Sequence, residues 1–334
     1  MMRAALLAGL ILSVPSPAYA TEAWLVVICG VGGDAEHRAT FDGRAQTLIA
    51  AATQDQHIDT SRVIYLAERP TDVEGATARS DAAGITAAFD RIGRDAASDA
   101  TVAVVLFGHG SGQEPPGTFN IPGPDVGPAT FETELAKLGE RRVVFVNTSS
   151  ASAGFLTLAR PGRVVITATG NLREREEPRF GGYFVDAFAE GSADLDKDSV
   201  VSVREAFVYA SQEVDRFYEN EGRLQPEHAM LDDDGDAEPS RWPLDPADDG
   251  SNADGLLASR MTLGGLAAAA AVDSAGDPEL ARLITVRAAA QDRLDVLRGS
   301  KDDLDEDAYF DQLEELLLEI AELDQQIRAR ESLP

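Results

Sequence analysis

Two apolar runs in the chain end on residues able to do chemistry. TVAVVLF (101–107) opens into Gly108-His109-Gly110, and VVFVN (143–147) opens into Thr148, Ser149 and Ser150. An imidazole accepts a proton near neutral pH, and a hydroxyl becomes a nucleophile only when such a base is aligned with it. Gly108 and Gly110 let backbone approach a ligand closely, and a free amide at Gly110 could donate to an oxyanion. A loop histidine capped by polar neighbours would give the same pattern without any reaction.

A second group lies in DLDKDSVVSVRE (194–205). Asp194, Asp196, Asp198, the Val200 carbonyl, Ser202 and Glu205 fall at the first, third, fifth, seventh, ninth and twelfth places of a calcium loop, where hard oxygen ligands surround one cation. Ser199 stands sixth, where a glycine normally makes the sharp turn. An acidic loop capping a helix that starts near Ser202 accounts for the same residues. The run LDDDGD (231–236) begins in the same way with Asp232, Asp234 and Asp236 but lacks the matching glutamate, and reads as a loop. His37, His57 and His228 are weak signals. Four histidines and one cysteine give no zinc constellation, and no phosphate-binding loop or organic cofactor motif is present.

The elements that must position these residues follow from apolar periodicity. WLVVICG (24–30), RVIYL (62–66), TVAVVLF (101–107), RRVVFV (141–146) and RVVITAT (163–169) are apolar at nearly every position, which predicts strands covered on both faces. Helical stretches intervene near 41–52, 82–97 and 129–138, so the strands should run parallel in an α/β three-layer domain. His109 and Ser149 would then sit at the carboxyl ends of strands, on one rim. Two further helices are expected over 182–190 and 202–218. Apolar stripes at Leu280, Leu283, Ala290, Leu294 and Leu297, and at Leu313, Leu316, Ile320, Leu323 and Ile327, predict a C-terminal antiparallel helical hairpin with coiled-coil spacing.

The order of these motifs resembles the legumain-like and caspase-like cysteine peptidases, particularly the bacterial relatives of legumain. The resemblance covers about residues 23–232. It rests on VVICGVGGDAEHRATFD, VVLFGHGSG, VVFVNTSSASAGF and RVVITATGNLREREEPRFGGYFVDAF. It implies a caspase/legumain-like domain of mostly parallel sheet and an ancestral role in peptide hydrolysis. His109 takes the position of the catalytic histidine, Gly110 that of the oxyanion donor, and Arg38 that of a specificity-pocket arginine. Ser149 stands where the family has its nucleophilic cysteine, Asn147 where legumain has a pocket glutamate, and Glu36 where an asparagine assists the histidine. A site built to hold a thiolate seldom aligns a base for the far less acidic hydroxyl. The expectation is therefore a catalytically impaired peptidase-like module that binds a peptide or protein in its cleft. Two alternatives remain: a hydrolase using Ser149 with His109, or Cys29 at the end of the first strand, and a coiled-coil assembly factor.

Residues 1–20 carry Arg3, the apolar ALLAGLILSV and Ala18-Tyr19-Ala20, the pattern of a cleaved secretory leader, which implies a periplasmic or secreted protein. Its apolar run is too short to span a bilayer, and no membrane span is expected elsewhere. The formal charge of −29 repels nucleic acid, and the lone Cys29 excludes an internal disulfide. The domains expected are a leader at 1–20, the α/β domain at 21–232, an acidic and small-residue linker at 233–276, and the hairpin at 277–331. The hairpin could pack on itself, on the domain or on a partner.

Overall fold

Burial on both faces of the predicted strands produces the expected layers. The computed structural model describes residues 22–56, 58–190, 192–194, 200–243, 254–265 and 306–331, with positions 283, 286, 287, 290, 294 and 297. The leader, His57, Asp196 and Asp198 lie outside the described residues. Strands β1 (Ala23–Cys29), β2 (Val63–Ala67), β3 (Ala78–Arg79), β4 (Thr101–Phe107), β7 (Arg142–Asn147), β8 (Arg163–Thr167) and β9 (Met230–Asp232) form one sheet in the order β3-β2-β1-β4-β7-β8-β9. All neighbours run parallel except β9, which is antiparallel to β8. The short strands β5 (Gly110–Ser111) and β6 (Thr118–Phe119) pair separately.

Alternate side chains of each strand enter opposite cores. Leu25, Val27, Cys29, Val105 and Phe107 pack beneath helices α1 (Ala35–Gln54), α4 (Phe180–Glu190) and α5 (Val203–Glu221). Trp24, Val26, Ile28, Val104 and Leu106 pack beneath α2 (Ala82–Asp95) and α3 (Pro128–Leu135). Each fully buried aliphatic or aromatic side chain contributes about 1.5–3 kcal/mol relative to exposure. The central strands therefore hold the rim of the sheet rigidly.

Helix starts are fixed by side-chain caps. Asp34 accepts from the His37 amide at α1, and Asp81 accepts from the Gly84 amide at α2. Helix α1 begins at Ala35, earlier than its apolar pattern suggests, because this cap acts on a polar first turn. Strand β9 was not legible, since its three residues Met230, Leu231 and Asp232 sit among charged neighbours.

The α/β domain also extends past 232. Met261 and Leu263 are buried in the α5-side core, the Met261 carbonyl accepts from the Val203 amide, and Asp233 accepts from the Gly255 and Ala258 amides. Residues 254–265 are thus a domain element and not linker. Toward the C-terminus, α6 (Glu306–Glu331) places Ile320 and Leu323 in one apolar cluster with Leu283, Ala290 and Leu294. Leu313, Leu316 and Ile327 pack against the same cluster, so these members of the two predicted stripes meet, while Leu280 lies outside the described residues. No helix among the described residues is long and apolar enough to cross a membrane.

Candidate functional site

Strands β4 and β7 are hydrogen-bonded neighbours with Leu106 opposite Asn147, so the residues that follow them share one rim of the sheet. There the structure brings together His109, Gly110, Asn147, Ser149 and Ser150. The His109 ring meets the rings of His37 and Phe41 edge-on, with centroids 5.0 and 5.1 Å away. Its Nε2 lies 3.2 Å from the Gly32 carbonyl oxygen. A carbonyl only accepts, so in the neutral ring the proton sits on Nε2 and the lone pair on Nδ1.

Ser149 is fully buried, and its hydroxyl donates to Asn147 Oδ1 at 2.7 Å. The Ser149 amide donates to the same oxygen at 3.0 Å, which fixes the orientation of the Asn147 side chain. Among the described residues no hydrogen bond joins His109 to Ser149. An amide oxygen is a poor proton acceptor, so this contact holds the hydroxyl without activating it. Asn147 is itself fully buried, and its Nδ2 has no hydrogen-bond partner among the described residues. The residue expected in a substrate pocket instead forms the floor that anchors Ser149. The Gly110 amide, the expected oxyanion donor, donates to Ser150 Oγ at 3.3 Å, and that hydroxyl donates back to the Gly110 carbonyl at 3.2 Å.

Cys29 ends β1 on the same rim, beside Phe107 of β4, but it is not available as a nucleophile. It is buried, its Sγ contacts the Phe41 carbonyl and the Tyr65 hydroxyl, and burial followed by the Asp42 charge pushes the thiol well above its ordinary pKa. The thiolate needed for attack is suppressed. Glu36 lies exposed on the first turn of α1 and makes no hydrogen bond to His109. Arg38 donates to Glu68 Oε2 at 3.2 Å and to the Asp34 carbonyl at 3.2 Å.

Acidic residues that sequence reasoning did not single out build a wall of loops beside the rim. Loop 170–179 is tied to both rim loops: Arg175 donates to the Gly112 carbonyl and the Ala151 amide donates to the Glu174 carbonyl. The Glu174 side chain accepts from the Gly170 amide, Asn171 Nδ2, and the His228 amide and Nδ1. Glu227 is buried, takes the Arg179 and Phe180 amides at the start of α4 and accepts from the Tyr218 hydroxyl. Burial pushes its pKa up, against the lowering effect of those amides. Only chain folding brings GNLREREEPR and QPEH together, so no periodicity announced these contacts.

His37 fastens this wall to α1. Its Nδ1 lies 2.8 Å from Asp34 Oδ2, and its Nε2 lies 3.0 Å from Glu177 Oε2. The Asp34 hydrogen bond raises its pKa above the ordinary value; desolvation opposes this, and the Glu177 charge adds to the rise. A raised folded-state pKa stabilises the fold fully below the unfolded value, and the benefit is lost as pH rises through the folded value. Hydrogen-exchange protection factors in loop 170–179 and the first turn of α1, corrected for intrinsic rates, are expected to fall from pH 5.5 to pH 8. A His37→Ala variant that keeps this pH dependence would assign it to another group.

Of the predicted calcium ligands, Asp194, Val200, Ser202 and Glu205 are described. Ser202 caps α5: its Oγ accepts from the Glu205 amide, while Glu205 Oε2 accepts from the Ser202 amide and hydroxyl at 2.8 Å each. This capping box is the helix cap that the acidic loop and Ser202 also allow. The carboxylates of Asp232, Asp234 and Asp236, read as a plain loop, each offer an oxygen within 4.8 Å of the others. Beside them Asp233 is drawn inside, where burial raises its pKa to about 6 against the amides of Ala258 and Gly255. No protein-family profile matches the chain, and no curated protein matches it.

Proposed function

We propose that this chain is an exported peptide- or protein-binding module on a legumain-like, caspase-type α/β domain whose hydrolytic centre is silent. One observation carries the reading: the fully buried Ser149 hydroxyl donates to Asn147 Oδ1, while His109 Nε2 faces the Gly32 carbonyl. The two groups stand at adjacent parallel strand ends, as the family resemblance implies. Proton transfer between them needs direct hydrogen-bond reach or one bridging water, and the Ser149 hydroxyl proton is directed to Asn147, with no hydrogen bond to His109 among the described residues. An extended segment would lie along loop 170–179 beside the rim, where Asn171, Arg173, Glu174, Arg175, Glu176 and Pro226 line a surface hollow.

The test is to incubate the purified chain with serine- and cysteine-directed covalent probes and with a labelled peptide library. Peptide capture without turnover, and no label on Ser149 or Cys29, is the expected result. Ser149 labelling that disappears in His109→Ala would establish a working hydrolase instead.

A cation is part of the proposal, steadying the region beyond β8. Asp232, Asp234 and Asp236 offer one ligand set, and Asp194, Asp196, Asp198, Val200, Ser202 and Glu205 the other. Binding to the folded state alone stabilises by about 2.7 kcal/mol at a hundredfold excess over Kd. Saturating calcium is therefore expected to raise Tm by several degrees, roughly 2–4 °C for each kcal/mol. Loss of the shift in Asp232→Asn or in Asp196→Asn assigns the loop, and no shift in the parent chain removes the cation from the reading.

A further inference from the structure

Helix α6 is apolar on two faces, and the hairpin uses one of them. Leu313, Leu316, Ile320, Leu323 and Ile327 pack in the cluster that contains Leu283, Ala290 and Leu294. Phe310, Leu317 and Ala321 recur at helical spacing on an adjoining face, with Leu318 at its edge. There Phe310 is 52% exposed, Leu317 46% and Leu318 58%. The other exposed large apolar side chain among the described residues, Leu224, stands apart in the segment after α5. Phe310, Leu313, Glu314, Leu317 and Leu318 together line a surface hollow. Apolar side chains exposed singly are ordinary, whereas a contiguous set at helical spacing is the form in which a helix presents a contact surface.

Charge decides what covers this face. From Glu306 to Ile327 the helix sequence carries eight acidic residues and no basic one. Glu314 falls within the exposed apolar set and Glu322 follows it two turns on. Both are exposed, and neither forms an ion pair among the described residues. A second copy of α6 would set two such acidic stretches against each other, and an anionic lipid surface meets the same repulsion. The other arm of a second copy is already spent, because its Leu283, Ala290 and Leu294 are buried in its own hairpin. That arm nevertheless shows the chemistry α6 accepts on its inner face. Between Leu280 and Arg298 its sequence carries four arginines against two aspartates, together with the leucines of its stripe.

We propose that the outer face of α6 docks a basic amphipathic helix of a partner protein, which lays apolar residues on Phe310, Leu317 and Leu318 and sets a Lys or Arg opposite Glu314. The apolar contact supplies affinity, since each leucine it covers leaves water. The acidic flank supplies choice of partner and speed of encounter. Glu314 also fixes register, because a partner shifted by one turn would place an apolar residue on its carboxylate. This surface is separate from the rim at His109, so the two binding readings can fail independently.

The experiment uses the full chain and three rhodamine-labelled peptides about five turns long when helical, with binding read by fluorescence anisotropy. The first carries Leu along one helical face and Lys and Arg elsewhere. The second has the same composition with the Leu residues scattered around the helix, and the third replaces every Lys and Arg of the first by Glu. The first peptide is expected to bind the parent chain about tenfold or more tightly than the second, and the third not at all. Leu317→Gln with Leu318→Gln, two exposed positions where Tm should not move, removes that tenfold margin. Glu314→Gln weakens binding of the first peptide severalfold and flattens its dependence on salt. Equal binding of the first and second peptides means attraction by net charge alone and overturns the proposal. So does binding of the third peptide as tight as the first, or a margin that survives the double variant. Sedimentation of the parent chain alone as a dimer that the double variant dissociates would give the face to a second copy, and overturns it as well. The comparison of peptides on the parent chain needs no variant, so a poorly folding variant does not blunt it.

Discussion

Gly110→Ala is expected to lower Tm by about 2–12 °C and to weaken peptide capture at the rim. A β-carbon at Gly110 would lie 2.1 Å from the Ser150 carbonyl oxygen, 2.8 Å from Ser149 Oγ and 3.1 Å from the Thr118 carbonyl oxygen. Two of these neighbours are backbone, so they cannot rotate away as a side chain would. Overpacking of this kind costs about 1–3 kcal/mol and sometimes more, which gives the Tm estimate at roughly 2–4 °C for each kcal/mol. Relief requires the His109 loop and the Ser149 loop to separate, breaking the paired hydrogen bonds between Gly110 and Ser150. Misplacing recognition groups by about an ångström costs tenfold or more in what they do. Gly43→Ala is the control, since nothing lies within 4 Å of a β-carbon there and the site is mid-helix. It should stabilise the protein by about 0.5–1 kcal/mol. Thermal denaturation of both variants decides the matter, and a Gly110→Ala chain as stable as its parent would contradict this packing of the rim.

Asn147→Ala carries the second large effect, a loss of about 2–4 kcal/mol in the free energy of unfolding. The substitution removes the single oxygen that accepts from both the amide and the hydroxyl of Ser149, and leaves two buried donors without that partner. Ser149→Ala alone should cost about 1 kcal/mol, because the amide keeps its acceptor. The two changes share one contact, so the double variant should fall short of the sum by about 1 kcal/mol. Denaturant unfolding of the four proteins in the cycle measures this. Strict additivity would mean that the hydroxyl is not held by Asn147 in solution, and the argument for a silent centre would lose its support. Labelling of Ser149 by a serine-directed probe in Asn147→Ala, absent from the parent, would show the floor to be a restraint on an otherwise competent hydroxyl.

The sequence by itself determined the layers and the rim. Strands apolar at every position, such as β1 and β4, can only be covered on both faces, and the helices between them require parallel crossovers. Those two facts put His109 and the residues after β7 on one edge of the sheet. The described members of the two C-terminal stripes were legible for the same reason, since spacing along the chain is local information.

Only the tertiary structure decided which polar groups meet. Whether Ser149 turns to His109 or to Asn147 depends on rotations and loop paths that no periodicity encodes. Arg38 and Arg44 are alike in the sequence, and Glu68 and Glu177, from distant segments, give them different partners. The wall beside the rim arose from Glu174, Glu177 and Glu227, charged residues in loops, where a long-range hydrogen bond leaves no trace in neighbouring residue types. Apolar burial is collective and follows pattern. A polar contact is directional and pairwise, so it is settled by where the folded backbone brings the two partners.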